Sequence, residues 1–539
     1  MRVLALLCVL IVLMAHTSMN AQNDVLRTRA EVSGFTETSR YADVRTFIDT
    51  LAARTPRVRI ETFGRTPERR ELPLLVIGDP PADPSQSKLP VVFVMANIHA
   101  GEVEGKEALL HIARRLTTGD LQPLLGAAVW LFAPIYNADG NEKISVDNRT
   151  EQNGPIDGVG TRENAWGLDL NRDFIKLESP EARALVALMT KWDPDVVVDL
   201  HTTNGSYHGY HLTYATSLNP NTDTAIDTFA RDRLLTSVRA AMASKHQFRI
   251  YDYGNFAHVD ALSEELEGFA ADDTRQKAWR TFDERPRFGT NYVGLRNRIA
   301  VLSEAYSYLD FERRVKVTEA FVEEIMRFVS ANGAEMRSLT RRVDTEWIRD
   351  AAKREQGVAF ELRAQPNPID VLVGAVGSAP NPRSGKPMRT MDERAATPTS
   401  MAVYDRFAAT STRRVPREYI VRSSTSRLLE AVAQSLAAHG VRFERARIAS
   451  RRQVEQFVLA TVARNGRLFQ GHHEATVTGR FEIREVDVPA GSIVVRTDQP
   501  LGRVAFYLLE PESNDSLSTW NVLDADLTPG KIHPVLKSR

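Results

Sequence analysis

VVFVMANIHAGEVEGKEALLHIARRL, residues 91–116, is the stretch whose reading decides the fold. Its first six residues are all apolar and half of them are β-branched, the composition of a strand buried on both faces. Its end carries Leu109, Leu110, Ile112, Ala113 and Leu116, spaced for one face of a helix. Between the two stand His99 and Glu102, at a strand-to-helix corner. Ligands of open α/β sheets bind in the crevice outside the carboxyl ends of the strands. An imidazole and a carboxylate three residues apart there supply two of the three protein ligands that a catalytic zinc takes. Alone, the pair is equally what an ordinary solvated corner can hold.

Two later runs repeat the arrangement. Residues 195–200, DVVVDL, lead into His201, and residues 298–303, RIAVLS, lead into Glu304. Three buried strands that each end on a metal-binding or acid–base residue are hard to obtain by chance. Between them Asn171 and Arg172 sit close to Phe174. An arginine fork matches a carboxylate bidentately, which a lysine cannot do.

In this order, H-x-x-E, Arg, Asn-Arg, His and Glu, the residues resemble the zinc metallocarboxypeptidases of the carboxypeptidase A type, over roughly the first three-fifths of the mature chain. The resemblance implies an α/β catalytic domain with a mixed central sheet flanked by helices, and one Zn²⁺ per chain held by His99, Glu102 and His201. It implies Glu304 as general base, with Asn171 and Arg172 gripping the free C-terminal carboxylate of a peptide substrate. It also implies a carbonyl-polarising arginine upstream of Asn171. Arg162 is chosen for its nine-residue separation, the spacing of the family's cytosolic branch, with Arg149 as the alternative. Asp173, where many relatives carry Asn, is expected to pair with Arg172 and weaken substrate capture. The family's mobile tyrosine has no clear match: Tyr292 lies too near Glu304, and Tyr251 and Tyr253 too far back. Tyr292 is left as a candidate lining residue for the terminal side chain.

The other polar residues of these segments read as structural. Glu104 and Glu107 lack the family spacing, His111 falls in the helical apolar pattern, and His208 and His211 are expected to form site walls rather than a second metal site. Two further functions share the chemistry or the pocket: a hydrolase of peptidoglycan stem peptides or N-acyl amino acids, and a catalytically silent peptide binder. Retention of Glu304 beside the full ligand set argues against the latter.

Residues 1–21 combine Arg2, an uncharged apolar core and a small-residue end, the form of an export signal. The apolar run falls short of the roughly 20 residues of a membrane span. The expectation is an exported protein, periplasmic or secreted, without stable membrane insertion once the signal is removed. Cys8, the one cysteine, lies in that segment, so disulfides and thiolate catalysis are excluded from the mature chain. With 69 basic and 69 acidic residues the formal charge is zero, which argues against nucleic-acid binding driven by charge.

The length of 539 residues calls for more than one domain. A catalytic domain is expected over 22–339 and a mostly β accessory domain with a small β-α-β unit over 340–539. Within the first, Tyr41–Arg54 reads as a helix, 57–63 and 71–77 as a hairpin, 143–166 as an ordered loop over the site, and 311–339 as a closing helix with a second helix at 345–356. Beyond, 364–400 reads as a Pro-, Gly- and Ser-rich stretch containing a strand at 369–376, followed by a helix at 426–439 and strands at 419–422, 441–446, 474–486 and 492–496. Residues 504–509 form one more apolar run, and His472 and His473 read as surface residues on a turn.

Overall fold

An eight-stranded mixed sheet carries the site, in the order Val58–Arg65, Glu71–Ile77, Val129–Ala133, Val91–Ala96, Val196–Thr202, Ile299–Ala305, Leu212–Ala215, Ile250–Asp252. The computed structural model describes residues 25–203, 205–266, 274–382, 384–423 and 425–538. The expected export segment, with Cys8, lies outside the described residues. Among these residues no helix is long and apolar enough to cross a membrane.

The four central strands run parallel, Val129–Ala133 beside Val91–Ala96, then Val196–Thr202, then Ile299–Ala305. Their β-branched residues are buried almost throughout, as sheets covered on both faces require. Parallel pairing brings their carboxyl ends to one edge, and His201 and Glu304 become direct neighbours in register. The hairpin Val58–Arg65/Glu71–Ile77 pairs antiparallel and closes one side.

Helices Tyr41–Arg54, Glu104–Thr118, Pro180–Trp192 and Thr236–His246 accompany this sheet. The expected closing helix is longer than anticipated: Phe311–Asp350 is continuous over 40 residues. Met336, Leu339, Thr340, Val343 and Trp347 are buried in one helical register, so the stripe runs on through the polar 340–345 segment where a break was expected. The proposed division at 339/340 therefore falls inside this helix.

A second sheet takes strands from both sides of that point. Glu355–Ala364, Pro387–Arg414, Lys277–Arg280, Asn255–His258 and Ala261–Glu265 follow one another, with Ile369–Pro380 paired to Pro387–Arg414. The Pro-, Gly- and Ser-rich stretch 364–400, in which one strand was expected at 369–376, is mostly a long hairpin. Its tip reaches the loop 143–166 through ion pairs Lys386–Asp147 and Arg389–Glu151. A third sheet joins Glu444–Arg445, Ile493–Arg496, Glu418–Val421, Ile532–Ser538, Ser450–Arg464 and Ala475–Val488, with helix Ser426–His439 beside it. The run at 504–509 belongs to a helix, Gly502–Leu509, buried at every residue. One hydrophobic cluster extends from Val44 to Val535.

Candidate active site

Asn97 opens the corner after the Val91–Ala96 strand. It adopts φ +65, a conformation Asn tolerates better than most residues, and its amide donates to the carbonyls of Ala100 and Glu102. This fold-back turns His99 and Glu102 toward the carboxyl edge of the sheet. Gly101 fits here because a Cβ would lie 2.5 Å from Arg149 Cδ.

His99, Glu102 and His201 come together from two strand ends. His99 Nδ1 is 3.0 Å from Glu102 Oε1, and His201 Nδ1 is 2.9 Å from Glu102 Oε2. All three are buried, and their ligand atoms lie within 4.8 Å of one another. The outer ring nitrogens meet two further carboxylates, His99 Nε2 with Asp169 at 3.1 Å and His201 Nε2 with Asp199 at 2.8 Å. A carboxylate behind each imidazole fixes the ring and leaves Nδ1 facing inward, the arrangement that metal-ligating histidines adopt. Tetrahedral ligands about 2.1 Å from an ion stand about 3.4 Å apart, so an outward shift of a few tenths of an ångström would seat zinc here. The donor set therefore fits a zinc ion.

The electrostatics agree. Burial alone would raise the Glu102 carboxyl, but His99, Arg149 and His201 outweigh it and hold it well below the carboxylate range. Burial opposes charge on His201, yet Asp199 and Glu102 prevail and raise its pKa well above the usual value. Metal binding would thus displace a proton from His201. Burial pushes Glu304 up to about 8, Glu102 adds to the rise, and His201, Arg149 and Arg162 oppose it. A dication among the three ligands adds positive charge beside Glu304 and favours its ionised form.

A cavity of about 290 Å³ opens over this cluster, and His99, Glu102, His201, Glu304, Asn171 and Arg172 all line it. Asp169 caps the short turn Leu170–Arg172 by accepting the Asn171 N–H at 2.9 Å, while Asn171 Oδ1 accepts the Gly289 N–H. Arg172 lies 3.9 Å over the Phe288 ring. Among the described residues its ion-pair contact is with Asp169 at 3.9 Å, so no described carboxylate closely engages the guanidinium fork.

Both candidate arginines line the cavity, in different states. Arg149 donates to Glu102 Oε1 at 2.8 Å and to the carbonyls of Thr202 and Thr203. Arg162 is 37% exposed at its side chain and bonds to Asp169, with Nη1 3.3 Å from His99 Nδ1.

Three expectations are corrected. Asp173 does not pair with Arg172: it accepts from Lys176, from the Glu178 and Ser179 amides and from the Ser179 hydroxyl, organising the start of the Pro180–Trp192 helix. Tyr292 is fully buried and bonds His439 Nδ1 at 2.8 Å, so it does not line the cavity. The phenol that does is Tyr253, seated edge-on against Phe282. His472 is no free surface residue either, since it bridges Glu178 and Asn521 at 2.7 and 3.0 Å.

His208 packs on Tyr306 and accepts the Tyr210 N–H, and His211 lies 2.9 Å from Glu393. A second trio, His246, Glu323 and Glu324, has its carboxylates paired with Arg115, Arg327 and Lys245. The sequence reading missed Asp199 and Asp169. The first was available, because residues two apart on a strand face the same way as His201.

Residues 44–291 match the model of the zinc carboxypeptidase family, peptidase M14. The match contains His99, Glu102, Arg162, Asn171, Arg172 and His201 and ends before Glu304. "Carboxypeptidase 2" of Trichophyton equinum is 22% identical over 469 residues, 84% of this chain and 77% of that protein. "Carboxypeptidase Z" of Homo sapiens is 34% identical over 129 residues, 22% of this chain and 19% of that one. Among solved structures, a metallo-carboxypeptidase from Burkholderia cenocepacia has a TM-score of 0.40 at 17% identity, covering 55% of this chain and 70% of that one. The protein is therefore a zinc-dependent hydrolase of the carboxypeptidase type. The similarity to the zinc carboxypeptidase family covers residues 44–291, a little under half of the chain.

Proposed function

We propose that the chain removes the C-terminal residue of peptides that carry a free α-carboxylate, with zinc held by His99, Glu102 and His201. The observation that carries this reading is the single cavity holding that trio, Glu304, and the Asn171–Arg172 pair. A zinc ion held by His99, Glu102 and His201 would supply Lewis-acid polarisation of the scissile carbonyl and would make the attacking water more acidic.

The chain's own groups do the rest. Glu304 takes a proton from the attacking water and returns it to the departing amine. Arg172 and Asn171 hold the terminal carboxylate, which places the cleaved bond one residue from the end. Arg162 donates to the carbonyl oxygen as charge develops, work that fits its exposure better than that of Arg149, whose bonds to Glu102 fix a ligand. Tyr253 is the cavity's phenolic donor toward the substrate. Export through residues 1–21 remains a separate proposal, resting on composition alone.

Metal analysis joined to paired peptides, one with a free and one with an amidated C-terminus, tests the reading. Zinc at one per chain with turnover of the free peptide only is the expected result. Equal cleavage of the amidated peptide points to an amidase or endopeptidase instead, and binding without turnover to a silent binder. Glu304→Gln should keep zinc and lose about a hundredfold or more in kcat. Full activity in that variant removes Glu304 from the role of base.

A further inference from the structure

We infer that the turn 469–472, from the C-terminal half, braces the carboxylate-binding subsite from outside the cavity, with Gln470 as a positioning residue for Asn171 and Arg172. The inference rests on the carboxypeptidase reading above.

The turn is tight and self-bonded. Phe469 and His472 exchange both backbone hydrogen bonds, at 2.9 and 3.0 Å, while Gln470 and Gly471 take φ of +50 and +82. Such a turn projects its central residues away from its own strands. Gln470 Oε1 accepts the backbone N–H of Asp169 at 2.9 Å, across 301 residues of sequence. Asp169 is the junction of the site: its carboxylate bonds His99 and Arg162 and caps the turn that presents Asn171 and Arg172. A donor amide fixed from outside sets where that carboxylate points.

The turn and the residues that follow it hold the segments on both sides of the subsite. On one side His472 bonds Glu178, at the far end of the 169–178 segment, and Lys176 lies 5.3 Å over the Trp520 ring. On the other, Glu474 bonds Arg287 at 2.7 Å, and Arg287 is held by buried Asp515 and stacked 4.4 Å over Trp520. Arg287 precedes Phe288, the ring on which Arg172 rests. The guanidinium that would grip a terminal carboxylate thus sits between two segments, and each is tied to residues 470–520. A subsite loosened by an ångström loses substrate orientation with little change in the reacting groups.

The test compares Gln470→Met, which keeps length and loses the acceptor, with Gln470→Glu, which keeps an acceptor oxygen, both in the full chain. Gln470→Met should raise KM for a free-carboxylate peptide about tenfold, the size of one lost hydrogen bond. kcat should change by less than about twofold and zinc content should stay at the wild-type level. Gln470→Glu should restore KM to within about twofold. In the non-hydrolysing Glu304→Gln background, Gln470→Met should also shrink the ratio of Kd values for amidated against free peptide.

An unchanged KM and an unchanged binding ratio overturn the inference, as does an equal loss for amidated peptide, which marks a merely structural role. Should Gln470→Met fold poorly, Glu474→Gln carries the same expectation from the opposite side. Absence of hydrolysis in the wild type counts against the carboxypeptidase reading, whereas the binding ratio decides the role of Gln470 independently.

Discussion

Asp199 bears on the proposed metal site without belonging to its ligand set. It sits two residues before His201 on one strand and bonds the outer nitrogen of that ring, so its charge sets both tautomer and basicity. Asp199→Asn keeps the shape and removes the charge, and zinc affinity should fall about ten- to a hundredfold. A chelator competition titration measures this directly, and excess zinc should recover activity. Unchanged affinity would mean that burial alone orients the ring. At this scale the sequence was legible wherever partners are local: His99, Glu102, His201 and Glu304 stand at the ends of apolar runs, and the fold brings all four into one cavity. Asp169 and Gln470 were not legible, because their roles exist only across 70 and 301 residues of intervening chain. Asp173 misled for the opposite reason. Its neighbour in sequence is Arg172, but Ser179, six residues on, offers both an amide and a hydroxyl.

Elements whose stripe is one-sided and bounded were read with little error, Tyr41–Arg54 being the plain case. The second strand of the hairpin, Pro387–Arg414, hides because most of its residues are half-buried or exposed on both faces, so neither period stands out. Gly502–Leu509 hides because burial on every side erases the helical period and leaves only an apolar run. The Glu104–Thr118 helix carries a testable charge cluster. His111 Nδ1 lies 3.2 Å from Glu319 and Nε2 lies 3.5 Å from Glu31, which tie this helix to Phe311–Asp350 and to the N-terminal turn Arg29–Val32. Burial disfavours the imidazolium, but both carboxylates outweigh it and raise His111 to about 9. A raised pKa means stabilisation that is complete below the unfolded value near 6.5 and lost as pH climbs through about 9. The protonated cluster is worth on the order of 3 kcal/mol, so Tm should fall between pH 7 and about 9.5. His111→Gln should flatten that slope; an identical slope in the variant assigns the pH dependence to other groups.

Across the whole molecule, a subset of the ion pairs crosses residue 340. Arg298 pairs with Asp193 and Asp344, Arg287 with Asp515 and Glu474, and Arg503 with Asp223. Buried Tyr292 bonds His439, and Trp347 donates to the Thr497 carbonyl. Composition reveals the number of such groups but not their partners, so a seam at 340 looked natural in the sequence while the second sheet crosses it. Breaking one member of a buried ion pair costs about 3–5 kcal/mol, comparable to a large part of a domain's whole stability. A chain cut after Leu339 loses the partners of Arg287 and of Tyr292, loses Trp347 and the last turns of its helix, and leaves Arg298 with one of its two carboxylates. Residues 25–339 made alone should therefore aggregate or stay unfolded, and the full chain should melt in a single cooperative transition by calorimetry. Recovery of a folded fragment that binds zinc and cleaves peptides with the KM of the full chain would establish the second half as a true accessory. It would also contradict the positioning role given to Gln470, since that fragment contains no residue able to hold Asp169 from outside.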